Sequence, residues 1–561
     1  MSEVWDAETD FLVAGSGAAG MSAAITAHKN GLDVIIVESM DRWGGTTAIS
    51  GGGLWMPNNP IMKGKKIEDN AQAAFDYLKE TIGEPGPWSN DARKWAFINS
   101  IPHFVNMMAE EGIRWMSSTK YADYYPDLKG GRIGRGIESR LFNYRKLGRY
   151  GKLVMDGGLP LPVHTDDVWL LSRAWVSWGG FWRGAKLVSW TLGSLVLGMK
   201  LRGMGYAYAG SLMHIVQNRE IPVWLNSPIT EVIQNDKGHV IGAVVKKDGK
   251  EVRIKTSRGV MLAAGGFAHN TEMRLKYQGV PGWSVSPRGQ LGQGIVIGQK
   301  AGGQLAMMED AWWGAVPVNS KQQAAGFMLA ERSMPHSLMI NKNGHRFANE
   351  SESYIDIGHH ILETTKKEKD PQERYVWLIM DHQHARRYLN SSLLIGTKDY
   401  AKAGHYAKAP TLRALANKIG VDYDDFKASV DRFNQFAVTG VDRDFQRGRT
   451  AYDRYYSDPS VKPNPNLGRL EKGPFTALRA YAGDLNTKGG LITDEYSRVT
   501  DKNGQPIPGL YASGNTTASV MGHTYPGPGS TIAPASVFGY LGALHASRFK
   551  ASGPADFAGR R

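Results

Sequence analysis

The run Phe11-Leu12-Val13-Ala14-Gly15-Ser16-Gly17-Ala18-Ala19-Gly20 sets four apolar residues directly before a G-x-G-x-x-G turn. A helix-forming stretch follows from Ala18 to Asn30, and Asp33-Val34-Ile35-Ile36-Val37 returns as a buried strand that ends at Glu38. The order strand, glycine turn, helix, strand predicts a βαβ unit. Gly15 permits the tight turn, Gly17 lets the backbone approach a pyrophosphate, and Gly20 lets helix and strand pack closely. Phosphates would meet the positive end of the helix, and Glu38 would accept hydrogen bonds from a ribose. Ser16, Ala18 and Ala19 within the turn, and Ser39 beside the acid, are expected at the same ligand. The reading is an α/β, Rossmann-like dinucleotide-binding unit.

Around this unit the chain has 561 residues, 42% of them hydrophobic and 21% charged, which is a globular composition sufficient for two or three domains. It has no cysteine, which excludes disulfides, thiolate metal sites and cysteine nucleophiles. No metal site is expected. Met1 to Asp6 carries no basic and apolar leader pattern before the first strand, so the expected location is cytoplasmic. The formal charge of +14 comes without a long Lys/Arg run or a nucleic-acid module, which argues against nucleic acid and leaves open an anionic membrane surface or a merely soluble basic chain.

Met40 to Trp55 contains Gly44-Gly45-Thr46-Thr47 and Ser50-Gly51-Gly52-Gly53, too rich in glycine for a packed helix or strand and dense in N–H and hydroxyl donors. It resembles the stretch that runs along FAD in the fumarate reductase and 3-ketosteroid dehydrogenase flavoprotein superfamily. That resemblance implies FAD, held non-covalently since no cysteinyl link is available, with Gly44, Gly45, Thr46, Thr47, Ser50, Gly51 and Gly52 beside it. Short strands are expected at Pro222–Leu225, Ile229–Gln234, Val240–Lys246, Glu251–Lys255 and Gly259–Ala264. The last of these, ending in Gly265-Gly266-Phe267, resembles the superfamily's second flavin signature and puts Ala264 and Gly265 near the cofactor. Gly514 and Asn515, after the strand Ile507–Ala512, are expected there too. One departure is Leu291-Gly292-Gln293-Gly294, where relatives commonly carry an acid. The helix expected from Pro534 would offer its positive end to a reduced flavin ring.

Three further stretches carry tyrosines. Met521-Gly522-His523-Thr524-Tyr525-Pro526-Gly527-Pro528-Gly529 is a stiff loop displaying a phenol beside bare glycine N–H groups, and by itself it reads as a turn before a helix. Tyr121-Ala122-Asp123-Tyr124-Tyr125-Pro126 reads as a loop exposing phenols, and Tyr354 stands in Ser353-Tyr354-Ile355-Asp356. Together these resemble the 3-ketosteroid Δ1-dehydrogenases over nearly the whole chain. The resemblance implies 1,2-desaturation of a 3-oxo-4-ene steroid. In that scheme Tyr525 and the Gly529 N–H hold the C3 oxygen, Tyr354 takes the C2 proton with help from Tyr124, and FAD N5 receives the C1 hydride. Tyr121 and Tyr125 stay open as alternatives to Tyr124 and, with Pro526 and Gly527, as substrate contacts. The physiological acceptor, a quinone or another oxidant, is not readable. Alternatives are a 3-ketosteroid Δ4-dehydrogenase, a fumarate reductase-like flavoprotein, and a non-catalytic sterol-binding flavoprotein.

The expected organisation is an FAD-binding domain in two parts, residues 1–315 and 485–561, around an inserted α+β catalytic domain at 316–484. Within the first part, 166–205 is an extra apolar helical segment with Trp169, Trp175, Trp178, Trp182 and Trp190 flanked by Arg173, Arg183, Lys186, Lys200 and Arg202. Its uncharged run is shorter than the ~20 residues needed to span a bilayer. A helix lying in the membrane interface is expected, making the protein a peripheral one, with a buried helical hairpin as the alternative.

Overall fold

The computed structural model describes residues 4–157, 160–389 and 391–548. The tail at 549–561, part of the expected C-terminal flavin segment, lies outside the described residues. Strand β1 (Ala7–Ala14), helix α1 (Ala18–Lys29) and strand β2 (Val34–Val37) form the expected βαβ unit. β1 lies between β2 and the strand Lys250–Leu262, both parallel to it, and the strand Pro506–Ala512 extends the parallel set. The eight-stranded sheet built on this centre carries Val240–Lys247 and Ile229–Gln234 as an antiparallel extension. Glu251–Lys255 and Gly259–Ala264, expected as two strands, form a single strand. Its first half pairs with Val240–Lys247 and its second half with β1, so Thr256 to Arg258 never leave the sheet.

Small residues set the packing of helix on sheet. In α1 every residue from Ala18 to Ala27 is buried, against the helix Ile532–Arg548 on one side. A Cβ on Gly20 would fall 1.9 Å from the Gly15 carbonyl, and one on Gly539 would fall 2.4 Å from the Ala19 carbonyl. Only glycine admits these approaches, so the two helices and the turn form one close-packed layer.

The second layer is a five-stranded sheet. Phe475–Thr487 pairs antiparallel with Ala311–Val316, Tyr375–Met380 and Tyr406–Ala409, and Ser337–Ile340 closes the far edge. Beneath it Arg346 and Arg447 bind Glu350, and Arg346 also reaches Asp442, all four side chains being almost wholly buried. Removing one partner from such a group typically costs ~3–5 kcal/mol, because the remaining charge stays in the core. Arg346 and Glu350 therefore hold the fold.

The glycine-rich stretch after Glu38 corrects one expectation. It contains a short helix, Gly45–Ile49, and a strand pair residue set at Leu54–Trp55. Gly44 at φ 100° makes the turn into that helix, which the composition alone concealed.

The Trp-rich segment is helical from Thr165 to Leu171 and from Trp178 to Val196, the two helices packed on each other. No helix among the described residues is long and apolar enough to cross a membrane.

Candidate active site

The carboxyl ends of β1, β2, Lys250–Leu262 and Pro506–Ala512 open on one cleft, lined by Ala14, Val37, Ala263 and Gly514 at those ends. This is where open parallel sheets bind ligands. The α1 N-terminus points into it with no side-chain cap and no acid in its first turn. Gly15 makes the turn at φ 115°, and a Cβ there would lie 2.2 Å from the Ala263 carbonyl. A positive helix end, whose Ala18 N–H donates to Thr47 Oγ1 at 3.0 Å, and tight glycine walls fit an elongated anionic cofactor. Glu38 closes the far side. Its carboxylate accepts from Ser16 N–H and Oγ at 3.0 and 2.6 Å, and from Ser39 Oγ and Met40 N–H at 3.2 and 3.1 Å. A ribose hydroxyl binding to Glu38 would take the place of one of the two serine hydroxyls.

Gly15, Ser16, Gly17, Ala18, Ala19, Glu38, Ser39, Gly45, Thr46, Thr47, Ala264, Gly265, Gly514 and Asn515 all line this cleft. Gly20 and Gly44 do not. Gly20 is spent on packing against Gly15, and the Gly44 N–H donates to Ser16 Oγ at 3.0 Å, bracing the turn from behind. Gln290 and Asn486 were not foreseen. Gln290 Oε1 accepts from the Gly266 N–H at 3.0 Å and from Asn486 Nδ2 at 2.9 Å, joining two distant strand ends over the cleft.

A second cavity, of about 270 Å³ and mostly apolar, adjoins the first. Both are lined by Thr46, Thr47, Asn515 and Ala535, so a cofactor filling the first reaches the wall of the second. Ser50, Gly51 and Gly52, expected along the cofactor, line this second cavity. At its inner end stand Tyr121, Tyr124, Tyr354, Tyr456, Tyr525 and Gly529.

The phenols expected to be exposed are buried. Tyr121, Tyr124, Tyr354 and Tyr525 keep only 2–6% of their surface, because the three tyrosine-bearing segments pack on each other. The Tyr124 N–H and the Tyr77 hydroxyl both donate to the Pro526 carbonyl, at 2.9 and 2.6 Å, tying the Tyr124 and Tyr525 loops together. The Tyr124 ring then stacks on Tyr525 at 5.1 Å, and Tyr354, the first residue of the helix Tyr354–Thr364, meets Tyr525 at 4.8 Å and Tyr124 at 5.4 Å. Asp123, between Tyr121 and Tyr124, accepts from Trp55 Nε1 and Arg135 at 2.8 and 2.7 Å, and burial lifts its pKa to about 6 against the pull of Arg135.

Burial pushes the Tyr354 phenol well above its usual range, and Tyr525 adds to the push, whereas Tyr124 pulls it down. Tyr525 is also raised by burial, opposed by Tyr354, the Thr531 hydroxyl and the Gly529 N–H. The Gly529 N–H therefore lies within reach of the Tyr525 oxygen. Gly529 is fixed there by φ 97° and by the Gly53 carbonyl, 2.1 Å from where its Cβ would lie.

Three residues expected as substrate contacts do not line this cavity. Tyr125 turns its hydroxyl to Asp356 at 3.1 Å, away from the cavity. The Pro526 carbonyl is occupied by Tyr77 and Tyr124, and Gly527 packs on the Trp55 ring, so Pro528 and Gly529 line the cavity instead. Tyr456 was not foreseen. Its hydroxyl lies 2.9 Å from that of Tyr121, which is 3.5 Å from Tyr124. No local pattern marks it, since 335 residues separate it from Tyr121.

A family model for the FAD binding domain matches residues 10–532. The chain is 40% identical over 581 residues to the 3-oxosteroid 1-dehydrogenase of Mycobacterium tuberculosis, covering 99% of each. It is 33% identical over 553 residues to a 4-oxocyclohexanecarboxylate 2-dehydrogenase of Sinomonas cyclohexanicum, covering 95% of this chain and 92% of that one. The crystal structure of the 3-ketosteroid delta1-dehydrogenase from Sterolibacterium denitrificans in complex with 1,4-androstadiene-3,17-dione matches with a TM-score of 0.89 at 34% identity. That match covers 96% of this chain and 99% of the other.

Proposed function

The chain belongs to the FAD-dependent 3-oxosteroid 1-dehydrogenase family, and from that premise we propose how its own residues carry out the 1,2-desaturation of a 3-oxo-4-ene steroid. The reaction removes a proton from C2 and a hydride from C1 and leaves a C1=C2 double bond. FAD bound in the first cleft supplies the two-electron acceptor. The C2 hydrogen is too weakly acidic to leave unless the C3 carbonyl is polarised. Tyr525 and the Gly529 N–H donate to the C3 oxygen and stabilise the charge that develops there. Tyr354 accepts the C2 proton, with Tyr124 donating to its oxygen as it does so. The supporting observation is the convergence of Tyr124, Tyr354 and Tyr525 around one apolar cavity that adjoins the cofactor cleft. A fumarate site needs cations for two carboxylates, and this cavity's lining has none among the described residues.

Anaerobic mixing with androst-4-ene-3,17-dione should bleach the bound flavin and yield the 1,4-dien-3-one. Bleaching only by a steroid saturated at C4–C5 would support the 4,5-dehydrogenase reading instead. A sterol-binding protein without turnover would bind the steroid and leave the flavin oxidised.

A pH dependence follows from the Tyr354 environment. Its phenol lies well above its usual pKa of about 10, so the basic form is scarce at neutral pH and grows tenfold for each unit of rise. The rate of flavin reduction should therefore climb between about pH 7 and 8 with a slope approaching one. A flat profile there would show that Tyr354 is not the base.

The helix Trp178–Val196 is the proposed membrane contact. Trp178 and Trp182 are 80% and 65% exposed, and Trp175, Phe181, Val188, Leu192 and Val196 are exposed with them. No acidic residue occurs between Asp167 and Glu220, whereas six basic ones do: Arg173, Arg183, Lys186, Lys200, Arg202 and Arg219. An exposed aromatic face with basic flanks fits an interface of anionic lipid. Thr165, Val168 and Met204 line the substrate cavity on this side, so an apolar substrate in the membrane lies near its mouth. The full chain should co-sediment with phosphatidylglycerol-containing vesicles. The triple variant Trp175→Ser, Trp178→Ser, Trp182→Ser should remain in the supernatant with unchanged turnover of a soluble steroid. Equal partitioning of the two would sink the membrane contact.

A further inference from the structure

Behind the Tyr525 loop lies a cluster of charged side chains that the desaturation itself does not use. Asp310 is its centre. Oδ1 accepts from the Ala311 N–H and Trp313 Nε1, both at 2.9 Å, and from His359 Nε2 at 3.0 Å. Oδ2 accepts from His523 Nδ1 at 3.1 Å and faces Lys488 Nζ at 3.6 Å. Burial works to raise the Asp310 pKa, but Lys488 and the two histidines outweigh it and hold the group ionised. Lys488 is wholly buried, which lowers its pKa to about 8 while Asp310 pulls it back up, so it is charged at neutral pH. Asp356 also faces this ammonium, and Glu309 faces His523.

Lys488 makes two contacts that lead to the carbonyl site. Its ammonium donates to the Thr524 carbonyl at 2.8 Å, one residue before Tyr525. It also lies 4.4 Å over the Trp312 ring, which meets the Tyr525 ring edge-on at 5.1 Å and donates Nε1 to Asn515 at 2.9 Å. Residues 523 and 524 are thus both tied to one cluster, His523 directly through Asp310 and Thr524 through Lys488. A neutral donor could satisfy the Thr524 carbonyl. A buried ammonium is costly to keep, and what it adds is a shorter, stiffer charge-assisted bond, made tolerable by Asp310.

We propose that Lys488, anchored by Asp310, is a positioning residue that aims the Tyr525 phenol at the substrate carbonyl by clamping the loop at Thr524 and the flanking Trp312 ring. This rests on Tyr525 being the carbonyl donor. The clamp acts on polarisation of the bound ketone, and apolar contacts elsewhere in the cavity hold the steroid whether or not the clamp is present. Lys488→Met should therefore lower kcat ~10–100-fold, the scale of an ångström-level misplacement at a reacting centre, and leave KM nearly unchanged.

The test uses the full chain loaded with oxidised FAD and androsta-1,4-diene-3,17-dione labelled with carbon-13 at C3, the reaction product, which keeps the C3 carbonyl and is not turned over. Isotope-edited infrared spectra report the C3=O stretch of the bound steroid, which hydrogen bonding lowers. Wild type should show the lowering, Tyr525→Phe should lose the share that Tyr525 supplies and keep the Gly529 share, and Lys488→Met should lose most of the Tyr525 share. His523→Ala, a change at a half-exposed side chain, should lose part of it and decides the matter if Lys488→Met does not fold. If Tyr525→Phe loses its share while Lys488→Met and His523→Ala keep the lowering in full, the clamp is wrong and Tyr525 remains the donor. If Tyr525→Phe also keeps it in full, Tyr525 is not the donor, and the clamp falls with that reading.

Discussion

Tyr525→Phe should retain bound FAD and fold normally, yet reduce its flavin about 10²–10³-fold more slowly than wild type when mixed anaerobically with a 3-oxo-4-ene steroid. The substitution removes one oxygen and keeps the ring, so the stack on Tyr124 and the edge contacts to Tyr354 and Trp312 survive. What is lost is a donor already aimed, in a site where burial and apolar walls make each hydrogen bond count for more than it would in water. Steroid affinity should change little, since the cavity binds chiefly through its apolar lining. Tyr354→Phe should be at least as severe, because it removes the proton acceptor itself, a contribution of roughly 10²–10⁴. The two variants differ in a second measurement. Tyr525→Phe keeps the rise of rate with pH that the Tyr354 phenol imposes, and Tyr354→Phe loses it. Stopped-flow flavin bleaching measures both, and near wild-type rates in both variants would falsify the tyrosine mechanism.

The parts of this architecture that could be read from sequence are those where the backbone alone imposes the residue. Gly15 is required by its own φ of 115° and Gly20 by the Gly15 carbonyl five positions before it, and the strands on either side keep a local apolar pattern. The tyrosines are different. Their types and loops were legible, but their burial was not, because it arises from Tyr77 and Tyr124 reaching the Pro526 carbonyl, each across more than 400 positions of chain. A loop of Tyr, Pro and Gly looks exposed by composition, and only its partner loop covers it. Tyr456, Gln290 and Asn486 were missed for the same reason: each does its work through a contact hundreds of residues away or between strand ends that carry no motif. Tyr125 and Gly527 stand beside Tyr124 and Pro528 in the chain but outside the cavity those two line, because neighbours in a tight loop point in different directions.

Substituting the first two glycines of the opening turn should separate folding from cofactor binding. Gly15 adopts φ 115°, and a Cβ there meets the Ala263 carbonyl at 2.2 Å and Ala263 C at 2.7 Å. Those atoms are backbone of the neighbouring strand and cannot step aside as a side chain would. Gly15→Ala should therefore destabilise the apoprotein, by at least the ~1–2 kcal/mol that a left-handed conformation costs an ordinary residue, and the displaced turn should leave the purified protein without flavin absorbance. Gly17 is a different case. Its φ of −78° suits any residue, and a Cβ meets only Thr47 Oγ1, at 3.6 Å, an ordinary contact. Nothing in the protein requires glycine there, so the demand comes from the ligand. Gly17→Ala should leave the apoprotein's melting temperature unchanged and weaken FAD binding on the order of 100-fold, since a phosphate pushed outward loses charge-assisted hydrogen bonds of about 1.5–3 kcal/mol each. Thermal unfolding of the apo forms and FAD titration by fluorescence quenching measure the two effects separately. Wild-type FAD affinity in Gly17→Ala would show that the pyrophosphate does not pass over this residue, and the placement of the cofactor along the α1 N-terminus would have to be given up.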